Sequence, residues 1–317
     1  MTSSAYSQGM AKQMVWVSGL LPYEQAAQVF ERFGYGMVPP SSIWRRTQEY
    51  GEKLKAQVER RQDLVGVERV KLPLPGLDHA QRKGISMDGG MVNIRDEGWK
   101  EFKAGTVFDV EIRLERDEKT GDLVEKPHAI NQAYTAVLGS VDQFAPAFWV
   151  VAVDHQVPLA ADSVVTADGA DWVWNLTADY FPDSIQIVDW YHACQHLHKS
   201  AVALFPDDSE QAQRWYTRCQ DHLFLGNILP IISDLEHAGL ERFSHYFHLH
   251  QRRMQYHLFL TDGYPIGSGT IESTIKQFKH RLSGPGMRWS RPAAERMLVI
   301  RSVVLSRSFD DLWAAAA

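Results

Sequence analysis

Apolar positions along this chain change their spacing several times, and the changes divide it into blocks. Between residues 21 and 62 the spacing is helical: Leu21-Pro-Tyr-Glu-Gln-Ala-Ala-Gln-Val-Phe-Glu-Arg-Phe puts an apolar stripe on one face, with Pro22 early enough to open the helix. After a break at Gly34 to Pro40, Ser41 offers a cap for a second helix that carries Arg45 and Arg46 near its start. Two helices and a turn fit either a helix-turn-helix whose second helix enters a groove or a plain hairpin supporting the next domain.

Residues 63–192 alternate between strand and helix patterns. Strands are predicted at 85–94, 106–114 and 129–138, the last two joined by a polar loop containing Thr120-Gly121. A helix at 143–156, a strand ending at Asp168, a helix over 171–180, a strand at 185–188 and a helix after Asp189 follow. This order predicts an α/β fold, an RNase H-like mixed sheet with helices on its faces. Residues 193–260 show long amphipathic segments at 209–225 and 228–247 and no strand signal, which reads as an all-helical insertion. Tyr264-Pro-Ile-Gly-Ser-Gly-Thr is then a tight loop into a helix carrying Glu272, and after a break at Ser283-Gly-Pro-Gly a helix covers 291–305. Four regions result: 1–62, a helical, helix-turn-helix-like DNA-binding region; 63–192, the first part of an RNase H-like catalytic core; 193–260, the insertion; and 261–317, the rest of the core with basic C-terminal helices.

Three acidic residues stand out against this layout. Asp88 ends the run Gly84-Ile-Ser-Met-Asp, Asp168 ends Ser163-Val-Val-Thr-Ala-Asp, and Glu272 follows Gly267-Ser-Gly-Thr-Ile. Carboxylates at element ends can converge on one sheet edge and hold two divalent cations about 3.5–4 Å apart, an arrangement suited to phosphodiester chemistry. Helix caps and surface charges are the ordinary alternative, but Gly89, Gly169 and Gly269 beside the three acids allow turns and close approach. Asp168, Asp171 and Asp189 could each be the second acid, although Asp171 also suits the first turn of its helix.

Charge sharpens the choice of substrate. The net charge of −6 counts against a generic nucleic-acid coat, so any DNA contact needs its basic residues concentrated. From Arg252 to Arg307 ten basic residues face three acidic ones, a net +7 surrounding Glu272. Lys276, Lys279, Arg281, Arg288 and Arg291 are the candidate backbone grips, with Arg45 and Arg46 in the N-terminal region. Trp289, in Gly284-Pro-Gly-Met-Arg-Trp-Ser-Arg, is the stacking candidate, with core anchoring as its alternative. Trp172, Trp174, Trp190 and Tyr191 read as core packing. The histidines at 192, 196 and 198 and at 245, 248 and 250 lack a metal-binding pattern and read as structural or surface residues. Two cysteines without metal-type spacing, no membrane-length apolar run and no signal-like N-terminus point to the cytoplasm. A two-carboxylate glycosidase would use similar acids but leaves the basic segment unexplained.

Four motifs in order resemble the DDE transposases of bacterial insertion sequences: Ile85-Ser-Met-Asp-Gly-Gly-Met-Val-Asn-Ile-Arg, Ala167-Asp-Gly-Ala-Asp-Trp-Val-Trp-Asn, Val188-Asp-Trp-Tyr-His-Ala-Cys-Gln-His-Leu and Gly263-Tyr-Pro-Ile-Gly-Ser-Gly-Thr-Ile-Glu-Ser. The closest resemblance is to the Kra-type group, related to Mutator-like transposases, over most of 15–315. In the Mutator-like pattern a Cys-or-Asp-x-x-His signature follows the second acid by one strand, and Asp189-Trp-Tyr-His192 matches it. The resemblance therefore implies Asp88, Asp168 and Glu272 as catalytic metal ligands and Asp189 and His192 as supporting residues. It further implies two Mg²⁺ per site, with Mn²⁺ as substitute, strand cleavage and transfer at element ends, DNA and a homo-oligomer as partners, and a nucleoid-associated location. Its members carry more sequence before the region matching Leu21. A domesticated or shortened transposase that binds DNA without cutting it is the alternative.

Overall fold

The structure is a computed structural model describing residues 6–65, 82–116 and 121–316. Three helices come first: α1 (Gln8–Leu20), α2 (Tyr23–Arg32) and α3 (Pro40–Leu64). Sequence periodicity misses α1 because its apolar residues do not form a single stripe; Met14, Val15 and Val17 are buried against different neighbours. The start of α3 is also corrected. Pro39 precedes the helix and Pro40 opens it without a side-chain cap, so Ser41 lies in the first turn rather than capping it.

The sheet follows. β1 (Lys83–Ile94), β2 (Gly98–Arg116) and β3 (Leu123–Val137) form an antiparallel meander, Thr120 of the expected loop lying outside the described residues. After α4 (Val141–Asp154), β4 (Ser163–Ala167) pairs parallel with β1; after α5 (Asp171–Tyr180), β5 (Ile185–Val188) pairs parallel with β4. The order is β3-β2-β1-β4-β5, a mixed α/β sheet compatible with the expected RNase H-like arrangement. Because β1, β4 and β5 run the same way, the carboxyl ends of β4 and β5 meet β1 along one line.

Helices cover both faces. Ile85, Met87 and Val107 point to the face packed by Phe144 and Phe148 of α4, and the same core continues into α5 and α6 (Trp190–Leu204). It extends through α7 (Ser209–Phe224), α8 (Leu229–His237), α9 (Glu241–His250) and α10 (Tyr256–Thr261), the helical block expected before Glu272. Val92, Ile94, Phe102 and Ala104 point the other way, onto α11 (Gly269–Leu282), α12 (Arg291–Leu305) and α13 (Phe309–Ala316), with α1 and α3 on the outside.

Contacts between early and late elements tie this second layer together. Gly19 lets α12 approach α1: a Cβ there would lie 3.0 Å from Ile300 Cγ2 and 3.1 Å from Val304 Cγ2. Arg301 donates to the Gly19 carbonyl at 2.9 Å, and Arg281 donates to the Ser18 carbonyl at 2.6 Å. Among the described residues no helix is long and apolar enough to cross a membrane.

Candidate active site

Asp88 is not at a strand end, contrary to the sequence reading. β1 continues six residues past it to Ile94, and Asp88 sits opposite Ala104 in the middle of the ladder. The apolar run is interrupted there because cross-strand side chains fold over the next two positions. A Cβ at Gly89 would lie 2.2 Å from a Glu101 carboxylate oxygen, and one at Gly90 2.2 Å from the Phe102 ring. Glycine is the residue that leaves room for both.

Register brings the aspartates together. β1 and β4 pair as Lys83 with Ser163, Gly84 with Val164 and Ile85 with Val165. Continued three positions, the same register sets Asp168 opposite Asp88. β4 and β5 end at Ala167 paired with Val188, so one further step sets Asp189 opposite Asp168. Asp88 on β1 and Asp168 and Asp189 just past the ends of β4 and β5 thus follow one another in a row across strands spaced about 4.8 Å apart, with α11 packed on the β1 side. Thr166 donates to the Pro265 carbonyl at 3.2 Å, which lays the 264–268 loop along the row.

The members of the row differ in their surroundings. Burial pushes the Asp88 carboxyl above its ordinary range, and repulsion from Asp168 adds to this against a 2.6 Å hydrogen bond from the Gly89 N–H. Asp168 follows β4 immediately and accepts from the Ala170 N–H at 3.0 Å, in the turn where Gly169 takes φ +104°. Asp189 is 1% exposed and saturated with donors: the backbone N–H of His192 at 2.7 Å, the His192 ring nitrogen at 3.0 Å, and the backbone N–H of Ser268. Burial works to raise Asp189, but these hydrogen bonds outweigh it and hold the group below the usual range. His192 is raised by its bond to Asp189 and by the nearby charges of Asp168 and Asp88.

Ser268 is the residue directly before α11, so Asp189 caps α6 with one carboxylate oxygen and holds the start of the Glu272 helix with the other. Trp190 N–H donates to the Ile266 carbonyl at 2.9 Å and fastens the same loop. Glu272 lies in the first turn of α11, exposed and paired with Lys276 at 2.8 Å. Lys279, seven residues on and so on the same helix face, is near enough to act electrostatically on Asp88. Among the described residues no group of three His, Cys, Asp or Glu side chains stands ready to hold a metal ion. The oxygen-only donors Asp88, Asp168 and Glu272 do suit a hard divalent cation in chemistry, with Glu272 engaged by Lys276.

The proposed DNA-facing residues separate into three sets. Arg45, Lys276, Lys279 and Arg288 are exposed. Arg46 pairs with Glu49, and Arg291 holds Glu97 through two guanidinium nitrogens. Arg281 and Trp289 are corrected: they are 2% and 8% exposed, with the guanidinium 5.1 Å from the indole centroid and the indole N–H on the Leu282 carbonyl, so both are interior struts rather than a DNA surface. Arg281 was legible as such, because it continues the stripe Ile271, Thr274, Phe278 at helical spacing.

Two of the clustered histidines serve packing. His196 stacks on Tyr246 at 3.7 Å, and His250, buried and held neutral with its pKa lowered to about 4, touches Tyr246 and Trp174. Ser268 and its loop escaped the sequence reading, although Gly267-Ser-Gly was the available signal. No known family model matches the chain, and no curated protein does.

Proposed function

We propose that the chain is a DNA phosphoryl-transfer enzyme of the DDE transposase type, built on an RNase H-like core. The observation that carries this reading is the row Asp88, Asp168, Asp189 at one face of the sheet, with Asp189 anchoring the helix that bears Glu272. Asp88, raised by burial and by Asp168 despite the Gly89 hydrogen bond, is costly to ionise unless a cation or substrate uses it.

Asp88, Asp168 and Glu272 would hold the divalent ions. Bound Mg²⁺ would there lower the pKa of an attacking water or hydroxyl and neutralise the leaving oxygen. The protein's own part is positional. Asp189 fixes the strand-to-helix junction and the start of α11 together, so the two aspartates and Glu272 keep a common frame. His192, raised by Asp189, supplies positive charge beside Asp88 and Asp168. Lys276 and Lys279 stand exposed on the α11 face beside Glu272, where a phosphate backbone would meet them, with Arg45 and Arg288 as further cationic contacts. Pairing two element ends calls for a homo-oligomer.

Supercoiled plasmid carrying the chain's coding region with its flanking DNA provides the test, incubated with Mg²⁺ or Mn²⁺. Wild type nicks and joins at the flanks, and Asp88→Asn and Asp168→Asn lose at least about 100-fold in rate. Full activity in both variants would sink the assignment. DNA binding without cleavage in wild type would favour the second reading, a non-catalytic DNA-binding descendant, to which the Glu272–Lys276 pair lends support.

A further inference from the structure

β2 and β3 outrun the rest of the sheet. β1 begins at Lys83, opposite Asp109, and past that pair the Val110 N–H still donates to the Arg82 carbonyl at 2.9 Å. Beyond Val110, among the described residues, β2 and β3 alone continue, as far as Arg116 paired with Leu123. The result is a two-stranded ribbon that projects past β1.

Paired residues share a face, so the register sorts the ribbon into two unlike sides. On one side Arg113 pairs with Glu111, and Lys126 and His128 with Glu115, so this face answers its own charges. The other side presents Ile112, Leu114 and Leu123. Further back on this side of β2, Phe102 and Ala104 are covered by α11. The cover thins to the Gly263 turn, where Ile112 Cδ1 lies 3.2 Å from the place a Cβ would take. Leu114 and Leu123 lie further out and are 67% and 64% exposed.

A two-stranded ribbon is marginal in water by itself, and aliphatic side chains lined up on its open face mark a contact surface. Lys126 and Pro127 on β3 discourage another strand from adding at the edge, which leaves the face. Charge then selects the occupant. The open face carries one cation, Arg116, whose Nη1 donates to the Gly121 carbonyl at 2.7 Å, and one anion, Glu125, paired with Leu114 on the opposite strand. DNA would need more cations than this. A face with one charge of each sign and aliphatic groups between them is complementary to itself, as a two-fold contact requires.

We infer that the open face of the ribbon is a contact between two copies of this chain, stacked about a two-fold axis lying in the face, so that each Arg116 meets the Glu125 of the other copy. The contact is smaller than the roughly 1,200–2,000 Å² that stable complexes bury, so the dimer is weak and forms with rising concentration. It holds whatever the chain acts on.

Sedimentation equilibrium of the full chain without DNA, from about 1 to 300 µM, reads the association directly. Wild type should pass from monomer to dimer over this range. Leu114→Ser with Leu123→Ser should weaken dimerisation at least about 10-fold at unchanged melting temperature, since both side chains are exposed. Arg116→Glu alone and Glu125→Arg alone should each weaken it about 3- to 30-fold through like-charge contacts. An equimolar mixture of these two single variants should recover wild-type association, because each copy then supplies the charge the other lacks. A wild type that stays monomeric would overturn the inference and leave the face to a different protein. A dimer that the serine variant leaves as strong as wild type, or a mixture no stronger than its components, would overturn it too.

Discussion

β1 carries two ionisable residues that solve the same problem in opposite ways. Lys83 and Asp88 are five positions apart and point to opposite faces of the sheet. On the first face Asp109 is buried but answered: Lys83 sits 2.5 Å away, and Asn131 donates at 2.8 Å. Asn131 reaches it by adopting φ +49° where β3 shifts register, so the backbone is bent to complete the hydrogen bonding. His155 lies 3.6 Å from the same carboxylate, and burial lowers it toward the neutral form. Burial would raise Asp109, yet Lys83 and Asn131 hold it below its usual range.

On the second face burial raises Asp88 and another aspartate adds to this, with the Gly89 N–H and the more distant His192 and Lys279 offsetting it only in part. The same strand shows that the sequence can neutralise a buried carboxylate where stability is the aim. Asp88 lacks a side-chain partner of the kind that Lys83 and Asn131 give Asp109.

Breaking the compensated pair has the largest expected effect. Asp109→Ala strands Lys83 in a site where its side chain is 11% exposed, and chemical denaturation should register a loss of about 3–5 kcal/mol. A loss below about 1 kcal/mol would show that the two faces are not different in kind.

Asp189→Ala comes next, at about 1–3 kcal/mol, since it removes a helix cap and leaves the Ser268 N–H buried without a partner. Hydrogen exchange should show the added opening confined to the start of α11 and of α6; uniform change across the sheet would contradict the anchoring role.

Asp88→Asn should behave in the reverse sense, leaving the melting temperature of the protein unchanged or raising it by about 0–3 °C. The pH dependence separates the two aspartates. Asp88 is raised when folded, so its ionisation costs stability as pH climbs above the ordinary carboxylate value of 3.8, and the gain in Asp88→Asn should grow from there upward. Asp109 is lowered when folded, so its contribution is present above 3.8 and fades as pH falls through its depressed value. Stability curves for Asp88→Asn and Asp109→Asn that move in the same direction would refute the contrast.

Lys276→Ala should be nearly silent in stability, within about 0.5 kcal/mol, because its pair with Glu272 is exposed. A marked loss would mean that the Glu272–Lys276 pair is a structural tie rather than a replaceable surface partnership.

Local pattern carried much of the fold. The bounds of α5 and β5 match the sequence reading because each is a short element framed by turn residues. What escaped depends on partners distant in sequence. β2 begins eight residues before its predicted start, since Gly98 to Gly105 gain their ladder from β1, and α1 is a helix fixed by α3 and α12. At the site, Asp88 and Asp168 were legible as acids, but their common row is a matter of strand register. Tyr191 reads as core in the sequence together with Trp190, yet Trp190 packs inside and Tyr191, one helical step on, is exposed.

The bond between Arg301 and Gly19 joins residues 282 apart in sequence. During synthesis, therefore, α1 has no α12 to lie against until nearly all of the described chain has been made, and the same holds for β1 and the α11 face above Asp88. The strands that carry Asp88, Asp168 and Asp189 can pair early, but α11, which carries Glu272, packs on β1 only as this layer closes. A half-made chain therefore leaves the α11 face of the sheet uncovered, and the end of synthesis is the moment at which β1, α11, α12 and α1 first share one layer.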